Sequence, residues 1–118
     1  METKTIIQKL RKPVADKFAI AEKYYAVLSD VNDLKLTERE IQLVAFAAIR
    51  GNMTYANVRE DFCKKHNTTS PTINNIISKL KKLGVFIKEG GKVKVNPRIV
   101  LDFEKDIKLE ITFSHEAS

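Results

Sequence analysis

The sequence predicts a mainly α-helical fold with a small β part, an α+β arrangement, on three observations. Apolar residues recur at helical spacing in four separate stretches between Val14 and Leu83. Those stretches are punctuated by residues that start or stop helices: Pro13, Thr37 with Glu40, Gly51, Asn67, Ser70-Pro71 and Gly84. After Gly84 the period drops from about 3.6 residues to about 2, first in VFIKEGGKVKVNP and again in DIKLEITFSHE.

The chain's 118 residues fit one domain, and 43% hydrophobic with 31% charged residues is the balance of an ordinary folded soluble protein. No apolar run is long enough to span a bilayer, and METKTIIQKLRKP lacks the apolar core of a secretory signal, so no membrane partner and an intracellular (cytoplasmic, nucleoid-associated) setting are expected. The single cysteine, Cys63, excludes an internal disulfide and a cysteine-based zinc cluster; it reads as a small apolar filler. His66 and His115 stand far apart, and Asp102, Glu104 and Asp106 at spacings of two make a weak metal motif, so no metal and no cofactor are expected. There is no glycine-rich phosphate loop, no nucleophile elbow and no histidine clustered with acids. The expectation is a protein that is not an enzyme.

After a mixed, frayed start, Pro13 opens a helix from about Val14 to Ser29. Val14, Phe18, Ala21, Tyr25 and Leu28 share one face of it, which must be buried either against the chain's own core or as a seam with a second subunit, giving a homodimer. In LTEREIQLVAFAAIRG, Thr37 and Glu40 form a capping box, Ile41, Val44, Ala45, Ala48 and Ile49 face inward, and Gly51 supplies the left-handed stop. A further helix runs from Thr54 or Tyr55 to about His66 and ends at Asn67, with Tyr55, Val58 and Phe62 inward, and His66 reads as a C-terminal cap interacting with the helix dipole.

In SPTINNIISKLKKLG, Ser70 reads as the N-cap with Pro71 at the first helical position. Ile73, Ile76, Ile77, Leu80 and Leu83 hold one face, while Pro71, Asn75, Ser78 and Lys82 occupy the opposite one with Thr72, Asn74, Lys79 and Lys81 on the flanks. An ordinary solvated helix would carry glutamate–lysine pairs there; this one carries amides, hydroxyls and lysines. Such groups suit base edges and phosphates in a DNA groove. Gly90-Gly91 then closes a hairpin in which Glu89 faces Lys92, Lys88 faces Val93 and Phe86 faces Val95, with Phe86 and Val95 on the core side and Pro97 ending the pairing. From Lys64 to Arg98 nine basic residues stand against Glu89 alone, a local +8 in a chain whose total is +6.

Helix, helix, turn, helix with a polar outer face, then a basic hairpin: this order resembles the winged helix-turn-helix family, and IISKLKKLGVFIKE is similar to the helix-to-wing junction of MarR-type regulators and of winged-helix plasmid and phage replication initiators. The resemblance covers residues 36–97, with 1–35 an N-terminal arm and helix and 98–118 a C-terminal segment holding an alternating strand. It implies binding of double-stranded DNA, with Ser70, Thr72, Asn74, Asn75 and Ser78 toward base edges and Lys79, Lys82, Lys88, Lys92 and Lys94 toward phosphate or in the wing. Neither the reading helix nor the wing carries an arginine, which suits backbone attachment better than two-point guanine reading. The strand of Ile107, Leu109, Ile111 and Phe113 pairs beside the wing, with a partner chain, or packs on its own domain. The alternative reading is a structural or assembly component, for example of a phage particle, that uses this scaffold for protein contacts through its two ends.

Overall fold

The four expected helices form, each with its ends set by local hydrogen bonding. In the computed structural model, which describes residues 5–8 and 16–112, α1 spans Lys17–Val31. It begins later than Pro13 suggests because the Asp16 carboxylate takes the capping role, accepting from the Phe18 amide at 2.9 Å. It runs past Ser29 to stop at Asn32, whose backbone and side-chain N–H groups both donate to the Leu28 carbonyl. Ser29 is buried and its hydroxyl accepts from the Leu36 amide at 2.9 Å, which fixes the connection into the next helix. Helix α2, Glu38–Arg50, has the complete Thr37/Glu40 capping box, and Gly51 closes it at φ 91°, a left-handed conformation that favours glycine.

Between α2 and α3 (Ala56–His66) the buried Asn52 side chain accepts from the Thr54 and Tyr55 amides, supplying the cap that Tyr55 lacks. Tyr55 was expected inward, but it is the extended N-cap residue rather than part of the helix, and it is 48% exposed. The helix ends at Asn67 as expected, in a left-handed conformation at φ 50°. Helix α4, Ser70–Lys82, starts one residue earlier than its Ser-Pro pair suggests: Thr69 is the N-cap and Ser70 the first helical residue. Pro71 remains within the first turn, where its missing N–H removes no bond. Ile73, Ile76, Ile77 and Leu80 are buried. Leu83, expected to extend that face, is 45% exposed because it caps the helix, and Gly84 at φ 77° turns the chain away.

Strands β2 (Phe86–Glu89) and β3 (Lys92–Val95) pair antiparallel in the expected register, Glu89 opposite Lys92, Lys88 opposite Val93 and Phe86 opposite Val95, with positive φ at Gly90 and Gly91. Phe86 and Val95 are buried. One bond joins the base of this hairpin to α4, the Val85 amide donating to the Leu80 carbonyl at 3.0 Å, and the Asn96 amide closes the base by donating to the Val85 carbonyl at 2.8 Å. The outer edge of β3 is covered by the α2–α3 connection, where the Met53 amide donates to the Val93 carbonyl at 2.8 Å and the Val93 amide donates to the Thr54 hydroxyl at 2.6 Å. Pro97–Ile99 makes a single 3-10 turn.

The chain ends depart most from expectation. Residues Thr5–Gln8, read as part of a frayed start, form strand β1, and β4 (Leu109–Thr112) pairs antiparallel with it, Ile6 opposite Ile111. The tail's strand partner is therefore the chain's own N-terminal segment, in a second two-stranded sheet separate from the hairpin. Phe113 lies outside the described residues.

One apolar cluster joins α1, α2, α3, α4, the hairpin base and Phe103. Of the residues assigned to a possible seam, Tyr25 is 1% exposed within this core and Phe18 and Leu28 pack half-buried against it; Val14 lies outside the described residues. The face is turned to its own domain because aromatic rings meet it there: Phe18 stacks on Phe46 at 5.5 Å between centroids, and Tyr25 meets Phe103 at 5.7 Å. Among the described residues no helix is long and apolar enough to cross a membrane.

The Tyr25 hydroxyl donates to the Ile99 carbonyl at 2.7 Å, tying α1 to the segment after the hairpin. Burial, and then the neighbouring Tyr24, push its phenol well above the ordinary tyrosine range, so the folded state holds this proton after the unfolded chain releases it near pH ~10. Tyr25→Phe is expected to cost about 1–2 kcal/mol in urea unfolding at pH 7, because the Ile99 carbonyl is left without its donor. The same substitution should remove part of the stability that the wild-type protein loses as pH rises above ~10.

Candidate functional site

With its isoleucines and Leu80 anchored inward, α4 presents Ser70, Asn74, Asn75, Ser78, Lys79, Lys81 and Lys82 as exposed residues, with Thr72 half-buried on the flank. The helix contains no acid. Asn75, Ser78 and Lys82 follow at steps of three and four on the outermost stripe, so three chemically different groups project in one direction. The base of the hairpin is hydrogen-bonded to the end of α4, and Lys88 and Lys92 stand toward the opposite end, at its tip.

The five lysines expected to meet phosphate fall into three kinds. Lys82 and Lys88 are exposed and pair with no acid among the described residues, as does Lys81. Lys92 is exposed at the hairpin tip, with its ammonium 5.2 Å from the centre of the Tyr55 ring. Lys79 and Lys94 are already occupied: Lys79 Nζ lies 2.8 Å from Glu40 Oε2, and Lys94 Nζ lies 2.7 Å from Glu89 Oε1. The Lys79 pair brings in an acid from outside residues 64–98 and so lowers the local excess, whereas Glu89 is already counted in the +8. Lys65, one of the nine basic residues in the local excess, is exposed with its ammonium 3.4 Å from the centre of the Phe18 ring.

The Glu40–Lys79 pair also ties α4 to α2. Glu40 is 6% exposed and serves the capping box through Oε1, which accepts from the Thr37 amide, while Oε2 receives Lys79. Burial pushes this carboxyl up, but the hydrogen bond and charge of Lys79, together with the Thr37 amide and hydroxyl, outweigh it and hold the group below the usual carboxylate range. His66 is lowered, first by burial and then by the charges of Lys65 and Arg39, so it adds no positive charge at neutral pH.

The base-edge candidates divide as well. Asn75 and Ser78 make no side-chain hydrogen bond within the described residues and are open to a ligand. Ser70 and Asn74 are both engaged by Arg59 of α3, whose guanidinium donates to Ser70 Oγ at 3.3 Å, to Asn74 Oδ1, and to the Met53 carbonyl at 3.4 Å. Thr72 Oγ1 lies 3.2 Å from Thr69 Oγ1. Arg59 thus places an arginine against α4 although the helix itself has none. Nothing in ANVREDF signals it, since Arg59 lies eleven residues from Ser70 and fifteen from Asn74.

Among the described residues no group of three His, Cys, Asp or Glu is arranged to hold a metal ion. Asp102 and Glu104, two of the acids in the weak metal motif, are engaged by Lys105 and Lys17 respectively. Comparison with protein-family models, curated proteins and solved structures returns no match to this chain.

Replacing Lys79 by Met should cost about 1 kcal/mol at pH 7, a value discounted for the half-exposed ammonium. A carboxyl held low in the folded state stabilises above its unfolded pKa of ~4.3 and loses that contribution as pH falls through the folded value. The difference between wild type and K79M, read from urea midpoints, is therefore expected to be full at neutral pH and to shrink as the solution is made more acidic than the unfolded value.

Proposed function

We propose that this chain is a winged helix-turn-helix protein that binds duplex DNA, with α4 entering the major groove and the β2–β3 hairpin as the wing along the backbone. The reading that follows most simply is a transcriptional regulator or a replication-associated DNA binder. The observation that carries it is the outward stripe of Asn75, Ser78 and Lys82 on an acid-free helix whose opposite side is locked into the core. A thirteen-residue helix is about 20 Å long and fits the roughly 12 Å width of the groove end-on or lengthwise. An amide can bond an adenine edge at two points, a hydroxyl can donate or accept, and lysine supplies charge without geometric selectivity.

Positions 81, 82, 88 and 92 are the lysines that remain for phosphate once Lys79 and Lys94 are paired with acids. The competing reading, a structural component held through its two ends, has less support: the α1 face is covered by the chain's own core, and β4 has β1 for a strand partner.

Duplex DNA is expected to bind with a steep salt dependence, log K falling against log[salt] with a slope near −4 if about four phosphates are met per chain. Lys82→Ala and Lys88→Ala should each lower the magnitude of that slope by about one, whereas Lys94→Ala should change it by much less. Asn75→Ala should alter the preferred sequence in a selection from random duplexes and leave the slope intact. Labelled duplex left free by micromolar protein at low salt would sink the proposal.

A further inference from the structure

Arg59 does more than brace α4. A guanidinium has donors only, so the atom of Asn74 that faces it must be the carbonyl oxygen, and the amide NH2 is directed away from Arg59. Ser70 is constrained in the same way: its oxygen accepts from Arg59, and its remaining hydrogen is free to donate. The clamp is held from behind by the Met53 carbonyl, in the same connection that covers the edge of β3. Arg59 is half-buried while Asn74 and Ser70 are exposed, so a fixed orientation is presented to solvent by two otherwise adaptable groups. Asn75, one residue on, makes no such bond and keeps both its donor and its acceptor for a ligand.

We propose that Arg59 is a specificity-determining positioning residue that turns the Asn74 amide donor outward, so that position 74 favours a guanine edge, with acceptors at N7 and O6, over adenine and cytosine. The proposal rests on the duplex-binding reading of α4. An asparagine free to turn can match the acceptor and donor of adenine together; one whose oxygen is turned back onto a guanidinium presents its NH2 outward and its oxygen inward, which removes that two-point match. Cytosine, which offers its amine donor in the groove, is rejected for the same reason. The two adjacent asparagines of α4 then have different preferences, although the sequence presents them as equivalent.

The test is a selection from a random duplex pool with wild type, Arg59→Met and Asn74→Asp. Wild type is expected to enrich guanine at one position. Arg59→Met frees the amide and should move that one position toward adenine, by about fivefold or more, with the rest of the site unchanged. Asn74→Asp keeps an acceptor for Arg59 and so preserves the fold, but turns an acceptor outward; it should shift the same position toward cytosine, with weaker overall binding. Thermal unfolding of each variant establishes that it is folded, and where Arg59→Met is not, Asn74→Asp alone decides. Identical preferences in all three overturn the proposal and leave duplex binding standing. An Arg59→Met loss that is uniform across sequences and lowers the salt slope by about one would make Arg59 a phosphate contact and also overturn it. Absence of any duplex binding by wild type removes both this proposal and the reading beneath it.

Discussion

Ile73, Ile76, Ile77 and Leu80 lie on one side of α4, and their burial fixes which way that helix faces. Each buried aliphatic side chain of this size is worth about 1.5–3 kcal/mol relative to exposure, so turning α4 by one residue, about 100°, would forfeit a large share of a small domain's stability. The outward stripe of Asn75, Ser78 and Lys82 is a consequence of that constraint. So is the position of the hairpin, because its base is hydrogen-bonded to the Leu80 carbonyl, and so are the reach of Arg59 from α3 and of Glu40 from α2.

Electrostatics then acts on a frame already set by packing. The local charge excess of the sequence counts every lysine equally, but the fold places two of them against carboxylates. A half-buried pair such as Glu40–Lys79 joins two helices and holds an N-terminal cap at once, which is a structural use of a residue whose sequence position suggested a phosphate contact. What remains at the surface is a smaller and better-defined set of cations at the end of α4 and along the hairpin. Long-range attraction to a polyanion depends on that remaining set rather than on the formal sum.

Hydrogen bonds give the surface its finer character. Asn74 and Asn75 are neighbours of identical chemistry, yet one has its oxygen held by a guanidinium and the other is unrestrained. The connection 52–55 has three roles in four residues: it caps α3 through Asn52, covers β3 through Met53 and Thr54, and sets Tyr55 beneath Lys92. The arrangement couples the hairpin to the helices from both sides, at Val85 and Asn96 on one and at Met53 and Thr54 on the other.

The sequence by itself determined the features that depend on residues close together along the chain. The Thr37/Glu40 box, the left-handed stops at Gly51 and Asn67, the buried stripe of α4 up to Leu80, and the register set by Gly90-Gly91 are all governed by hydrogen bonds and periodicity spanning a few residues. Only the tertiary structure decided the partners separated by many residues: Lys79 with Glu40, Arg59 with Asn74, Tyr25 with Ile99, and β1 with β4 across nearly the whole chain. Four residues reading TIIQ are too few to declare a strand, and an exposed lysine carries no mark of whether an acid waits across a helix interface. Periodicity states which side of an element is apolar, whereas the groups that meet on its polar side are fixed by how the elements pack together.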